Sequence, residues 1–135
     1  MNMLDSSELM ASIGQFLAED IGRGDITTRS CVPPDKMGSG RFLAKEYMVV
    51  CGLDVAEAVF FHLDPDSPEI ETTFNEGDEV EEGTVIGTLS GYADVLLTGE
   101  RLALNLLQRM SGVATLTRQF FKAVEGTSAS IVDTR

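Results

Sequence analysis

The 135-residue chain contains no tryptophan, a single histidine, two cysteines and four prolines. Each scarcity closes off a kind of chemistry. Cys31 and Cys51 are too few and too far apart for a disulfide framework or a four-thiolate zinc site, so both are expected to be buried or idle thiols. His62 falls in the last turn of a predicted helix, where the negative end of the helix favours an imidazole, and a catalytic role is not needed to explain it. Basic residues are also scarce: 10 lysines and arginines stand against 22 aspartates and glutamates, a net charge of −12. Nucleic acid requires a basic surface and is excluded as a partner. An anionic small ligand would need a local arginine cluster, or positive charge supplied from outside the segment. No stretch approaches the roughly 20 apolar residues of a membrane span, and "MNMLDSSELM" has neither the basic nor the apolar part of a secretion signal. The expectation is a cytoplasmic protein without membrane contact.

What remains is ordinary globular composition, 43% hydrophobic and 24% charged, enough for one domain with its own core. Asp5 and Glu8 form a capping pair before Leu9, Ile13, Phe16 and Leu17, which recur at helical spacing until Gly22, so a first helix is predicted over Ser6 to Ile21. The turn-rich "GRGDITTRSCVPP" predicts a loop with a short extended piece at Ile26 to Thr28, and its Arg23-Gly24-Asp25 tripeptide is read as a chance occurrence. "GRFLAKEYMVVC", residues 40 to 51, predicts one strand or two joined strands. A second capping pair, Asp54 and Glu57, opens a helix through "VAEAVFFHL" that ends near Asp64-Pro65. From Glu69 to Gly91, short beta runs punctuated by Gly77, Gly83, Gly87 and Gly91 predict antiparallel strands with tight turns. The acidic cluster Glu76, Asp78, Glu79, Glu81 and Glu82 lacks the spacing of a calcium loop and is read as a solvated turn.

Residues 94 to 126 carry the strongest pattern. Ala103, Leu106, Leu107, Met110 and Ala114 share one helical stripe, and Arg101, Asn105, Gln108 and Arg109 another. Gly112 is expected to interrupt the helix, and a second helix with Val113, Leu116, Phe120 and Val124 inward is expected to close at Gly126. The polar stripe faces either water or a polar site. The chain closes on "SASIVDTR", in which Ile131 and Val132 suit a buried strand with Asp133, Thr134 and Arg135 at its tip.

Three of these segments, "FLAEDIGRGDITT", "GERLALNLLQRMSGVATLTR" and "IVDTR", together with "EGDEVEEGTVIGTLSG" between them, make the sequence resemble the N-terminal half of quinolinate phosphoribosyltransferase, also called nicotinate-nucleotide pyrophosphorylase (carboxylating). The resemblance covers nearly the whole chain. It implies an α+β fold: an N-terminal α/β sandwich domain over residues 1–112, with a glycine-punctuated antiparallel sheet and helices. Residues 113–135 would then be a linking helix and the first strand of an α/β barrel, whose polar tip lies at the C-terminal end where barrel folds place their chemistry.

The reaction implied is transfer of a phosphoribosyl group from phosphoribosyl pyrophosphate to the ring nitrogen of quinolinate, with loss of carbon dioxide and pyrophosphate, giving nicotinate mononucleotide for NAD biosynthesis. Planar guanidinium forks suit the two adjacent carboxylates of quinolinate. By the resemblance Arg101 reaches quinolinate from the neighbouring subunit of a homodimer, and Thr134 and Arg135 contact substrate on the barrel. Glu100 and Asn105 orient the helix or Arg101. Arg109 and Arg118 are expected in structural ion pairs. Magnesium accompanies the pyrophosphate, its ligands lying beyond residue 135 together with most of the active site, so no catalytic residue is assigned and the 135 residues alone are expected to be inactive. Two other readings stand beside this one. A biotinyl or lipoyl carrier module needs a modifiable lysine at a hairpin tip, whereas Glu69 to Tyr92 contains none and Lys36 is the only loop candidate. A paralogue of the same fold, molybdenum-transport-associated or nicotinate-specific, differs mainly in residues outside this segment.

Overall fold

Helix α3 (Leu53–Leu63) has almost no polar face, and it lies at the centre of the molecule for that reason: Leu53, Val55, Ala56, Ala58, Val59 and Phe60 are all buried. Each large apolar side chain removed from water there contributes about 1.5–3 kcal/mol before the entropy of ordering is subtracted. The computed structural model describes residues 7–22, 26–66 and 69–134, with the side chains of residues 26, 27 and 29 left undescribed. The other elements are α1 (Ser7–Ile21), α2 (Ile26–Cys31), β1 (Met37–Leu43), β2 (Met48–Val49), β3 (Glu79–Val80), β4 (Val85–Tyr92) and α4 (Ala93–Val124), of which α1 and α4 pack against α3. None of the described helices is long and apolar enough to cross a membrane.

α1 meets the core through Ile13 and Leu17, as its spacing predicts, while Phe16 stays exposed. Asp5 and Ser6, on which the predicted start depends, lie outside the described residues, as does Arg23-Gly24-Asp25. Gly14 lets α1 approach α3: a β-carbon at that position would lie 3.1 Å from the His62 ring, which sits in the last turn of α3.

Residues 26 to 31 are helical rather than extended. Threonine's strand preference yields here to tertiary context: Thr28 is buried, and the Val32 N–H closes the turn on its carbonyl. The stretch 40–51 is two strands in different sheets. β1 pairs antiparallel with β4, from Met37↔Tyr92 to Leu43↔Val85 with an irregularity at Phe42/Leu43, and β2 pairs with β3. Alternation along β4 from Gly87 to Tyr92 turns Leu89 into the core and Thr88 and Ser90 outward, and the irregularity opposite Phe42/Leu43, which leaves Ile86 without a register partner, lets Ile86 be buried as well. Turns at Asn75–Asp78 and Glu81–Thr84 use Gly77 and Gly83 at φ 94° and 85°, a region open to glycine.

The capping of α3 departs from expectation. Its N-cap is Gly52, not Asp54, and the N–H groups of Gly52 and Leu53, which have no partner within the helix, donate to the two carboxylate oxygens of Glu76, at 2.7 and 2.8 Å. Glu57 instead accepts the Ile70 N–H at 2.8 Å. Within the acidic cluster, Glu76 thus clamps a helix, Asp78 accepts the Asn75 N–H and Glu79 pairs with cations of α4.

α4 is one continuous helix of 32 residues, and Gly112 does not break it. An interior glycine costs about 1 kcal/mol, and the flanking residues more than offset it. Buried Ser111 exchanges hydrogen bonds with the backbone of Cys51, and Thr115 Oγ1 accepts the Val49 N–H. The inward stripe holds for Ala103 and Leu107, but Val113, Leu116 and Phe120 face outward, 67, 54 and 55% exposed, because no described element of this chain reaches that side of the distal half. No strand forms at Ser130–Thr134; these residues have no regular structure and Val132 is 75% exposed. An extended segment with no neighbouring strand has no ladder to join. Arg135 lies outside the described residues.

Candidate functional site

The proximal half of α4 is fixed by a close approach to α3 at Gly99. Gly99 packs so closely on Phe60 that a β-carbon there would lie 2.8 Å from the ring, and Leu102, Ala103 and Leu107 are buried beside it. With one side of the helix held in the core, the opposite side must face out. It carries Arg101, Asn105 and Arg109 at successive steps of four residues, one above another. Asn105 and Arg109, with Phe16, Glu19, Asp20, Leu102 and Leu106, line a concavity between α1 and α4.

Arg101 meets this concavity only through Asp20, one of its lining residues: the arginine side chain is 77% exposed, and its Nη1 lies 3.8 Å from Asp20 Oδ1 at the end of α1. An ion pair this open contributes little to stability. Glu100, one residue earlier, lines a separate groove with Arg41, Leu96 and Leu104. Asn105 therefore shares the arginine's face and Glu100 does not. Thr134 is exposed in the terminal segment, and no hydrogen bond or ion pair among the described residues joins it to Arg101.

Arg118 and Arg109, expected alike in structural pairs, differ. Arg118 Nη2 donates to the Gly77 carbonyl at 3.0 Å, and Nε lies 3.6 Å from Glu79 Oε1. Lys122 Nζ donates to Glu79 Oε2 at 2.9 Å, the Tyr47 hydroxyl donates to the same oxygen, and the ammonium lies 5.9 Å above the Tyr47 ring. The Tyr47 and Lys122 hydrogen bonds hold the Glu79 carboxyl below its ordinary range, and in return Glu79 pushes both the phenol and the ammonium up. This cluster fastens distal α4 to β2 and β3. Arg109 has no ion pair among the described residues. It lies where the α1 concavity meets a largely apolar groove of 720 Å³, lined by Val49, Cys51, Met110, Val113 and Phe121 among others. Burial pushes the Cys51 thiol up, with Glu76 adding to the effect, so the group is a poor nucleophile.

Periodicity alone identifies the polar face of α4. Asp20 and Ser111 escape it, because each acts on a residue far away in sequence, across a helix–helix seam or a helix–loop contact. The arrangement presents one loosely paired guanidinium, Arg101, and one without an ion pair among the described residues, Arg109, on a single helix face, which suits binding of a carboxylate or another anion. Among the described residues, no three histidine, cysteine, aspartate or glutamate side chains gather into a set able to hold a metal ion.

A family model described as quinolinate phosphoribosyl transferase, N-terminal domain, matches residues 25–111. A probable nicotinate-nucleotide pyrophosphorylase (carboxylating) from Synechocystis is 46% identical over 121 residues, which are 90% of this chain and 40% of the relative. A quinolinate phosphoribosyltransferase (decarboxylating) from Nicotiana tabacum is 40% identical over 129 residues, 95% of this chain and 36% of the relative. The chain thus spans no more than two-fifths of the length of either. Among solved structures, the nicotinate-nucleotide pyrophosphorylase from Francisella tularensis superimposes with a TM-score of 0.85 at 31% identity, over 94% of this chain and 45% of that one. With the match covering residues 25–111 and so ending at Ser111 within α4, the chain belongs to the quinolinate phosphoribosyltransferase family, as an N-terminal domain of it.

Proposed function

We propose that the polypeptide carrying this chain is a nicotinate-nucleotide diphosphorylase (carboxylating), a pentosyltransferase. It joins quinolinate to the phosphoribosyl group of phosphoribosyl pyrophosphate and releases pyrophosphate and carbon dioxide. The observation that carries the reading is the family match over residues 25–111, with Arg101 exposed on the helix face that the match includes. In this reading residues 1–112 form the sandwich domain and 113–135 lead into a barrel, α4 crossing from one to the other without a break. Arg101 binds a quinolinate carboxylate in the site of the neighbouring subunit of a homodimer, and Thr134 and Arg135 contact substrate from the barrel side. Magnesium, bound with the pyrophosphate, would supply charge neutralisation for the departing group. The described residues bring no ligand set for it, so no step is assigned to it here. A cytoplasmic location belongs to the same proposal.

The test uses the full-length polypeptide carrying this chain, assayed for nicotinate mononucleotide formed from the two substrates. Arg101→Ala is expected to lower turnover by about two orders of magnitude, and Arg101→Lys to rescue little because the fork geometry is lost. Arg135→Ala should fail similarly. Mixing the two inactive variants under subunit exchange then gives mixed dimers with one intact site each. With random pairing, activity should return to about a quarter of wild type. No recovery, with exchange confirmed independently, would defeat the shared site; no product from the wild type would defeat the activity.

A further inference from the structure

We propose that Asp20 is a positioning residue for Arg101: it orders the guanidinium while leaving the edge that receives the substrate carboxylate open. The inference rests on the reading that Arg101 contacts quinolinate. In a chain of net charge −12, an arginine meant for an incoming carboxylate is surrounded by internal carboxylates that compete for it. Asp20 is the only one paired with it among the described residues, and the pairing is incomplete. A captured guanidinium makes two parallel bonds of about 2.7–2.9 Å. Here a single terminal nitrogen lies 3.8 Å from a single oxygen, and Nε and Nη2 make no other hydrogen bond among the described residues. The fork therefore keeps its bidentate edge.

The two partners are unequally held. The Asp20 side chain is 27% exposed and sits in the last turn of α1, close after Leu17, which is 3% exposed and anchors that helix in the core. The Arg101 side chain is 77% exposed. The carboxylate is thus the more sheltered partner and the guanidinium the more exposed one. Glu19 lines the same concavity and makes no pair with Arg101. Arg109, two turns along the same face of α4, lines the concavity with Asp20 and makes no ion pair with it. Ordering a long, flexible side chain before its ligand arrives removes part of the entropy that binding would otherwise cost. A partner seated on a different helix does this without occupying the guanidinium's free edge.

The experiment is steady-state kinetics on the full-length polypeptide carrying this chain, with thermal unfolding measured on every variant. Asp20→Ala is expected to raise KM for quinolinate about fivefold, with kcat within twofold of wild type and Tm essentially unchanged, as loss of preorganisation alone requires. Asp20→Glu, which keeps the charge, should stay near wild type. In an Arg101→Ala background, Asp20→Ala should change nothing further, because a residue acting through another has no effect once that one is gone. The proposal is overturned if Asp20→Ala leaves KM for quinolinate unchanged while Arg101→Ala impairs the reaction in either KM or kcat. It is overturned equally if the Asp20 effect persists undiminished without Arg101, or arrives with a matching fall in Tm. If Arg101→Ala alone alters neither KM nor kcat, the substrate role of Arg101 has failed and the positioning role falls with it; that single variant tells the two failures apart.

Discussion

Glu76 belongs to an exposed acidic turn, yet its two oxygens take the N–H groups that open α3, where the preceding residue, Gly52, has no side chain to do so. Gly52 itself is constrained: its φ is 102°, and a β-carbon there would meet Met110 Sδ at 2.9 Å. Glu76 is thus a cap supplied from 24 residues away, placed against the positive end of the helix. Glu76→Ala should destabilise the protein by about 1–2 kcal/mol, and Glu76→Gln, which retains one acceptor oxygen, by less. Urea unfolding of the two variants checks the order, and equal stability of Glu76→Ala and wild type would refute it. No local pattern announces this role, because capping rules look within four residues and this cap is tertiary. Arg101 is the converse case. Its exposure is legible from period alone, whereas its meaning comes from the surrounding "GERLALN".

At the scale of elements, the apolar stripes of α1, α3 and proximal α4 are readable because burial repeats every 3.6 residues. Misreadings fall where a distant partner outweighs local preference, as at Gly112, which Ser111 and Thr115 carry through by bonding to the β2–α3 segment. Distal α4 is held on one side only, by the Glu79 cluster with Tyr47, Arg118 and Lys122. The charge state of that cluster sets a pH window. Glu79 has a lowered folded pKa, so its contribution is complete above the ordinary carboxylate range and is lost as pH falls through the depressed folded value. Lys122 and Tyr47 have raised folded values, so theirs is complete below their ordinary values and lost as pH rises through the raised ones. Glu79→Gln should flatten the acid side of the stability profile and let Tyr47 ionise at lower pH. The chain has two tyrosines and no tryptophan, so tyrosinate absorbance in a Tyr92→Phe background reports Tyr47 directly. An unchanged titration would show that the hydrogen bond to Glu79 does not govern the phenol.

The whole molecule is a core with one uncovered flank: Val113, Leu116, Phe120 and Phe121 on distal α4 are each more than half exposed. Contiguous apolar surface of this kind promotes association. Purified as 135 residues, the chain should sediment as dimers or larger species, and Leu116→Ser with Phe120→Ser should shift it toward monomer; a monodisperse wild-type monomer would contradict this. Which strands pair is the least legible feature at this scale, since β1 finds its partner in β4 and not in the strand that follows it. That pairing also governs the order of events at the ribosome. β1 emerges roughly 40 to 55 residues ahead of β4, which at about 5–20 residues per second is a wait of seconds with its backbone edge unsatisfied. Its sequence, "MGSGRFL", suits the interval: two glycines, a serine and an arginine, with Phe42 the only side chain that ends up buried. The stickier strand, "VIGTLSGY", is synthesised last of the pair and meets a waiting template. Of the two strands, the one richer in apolar side chains is thus made when its partner is already available to pair with it.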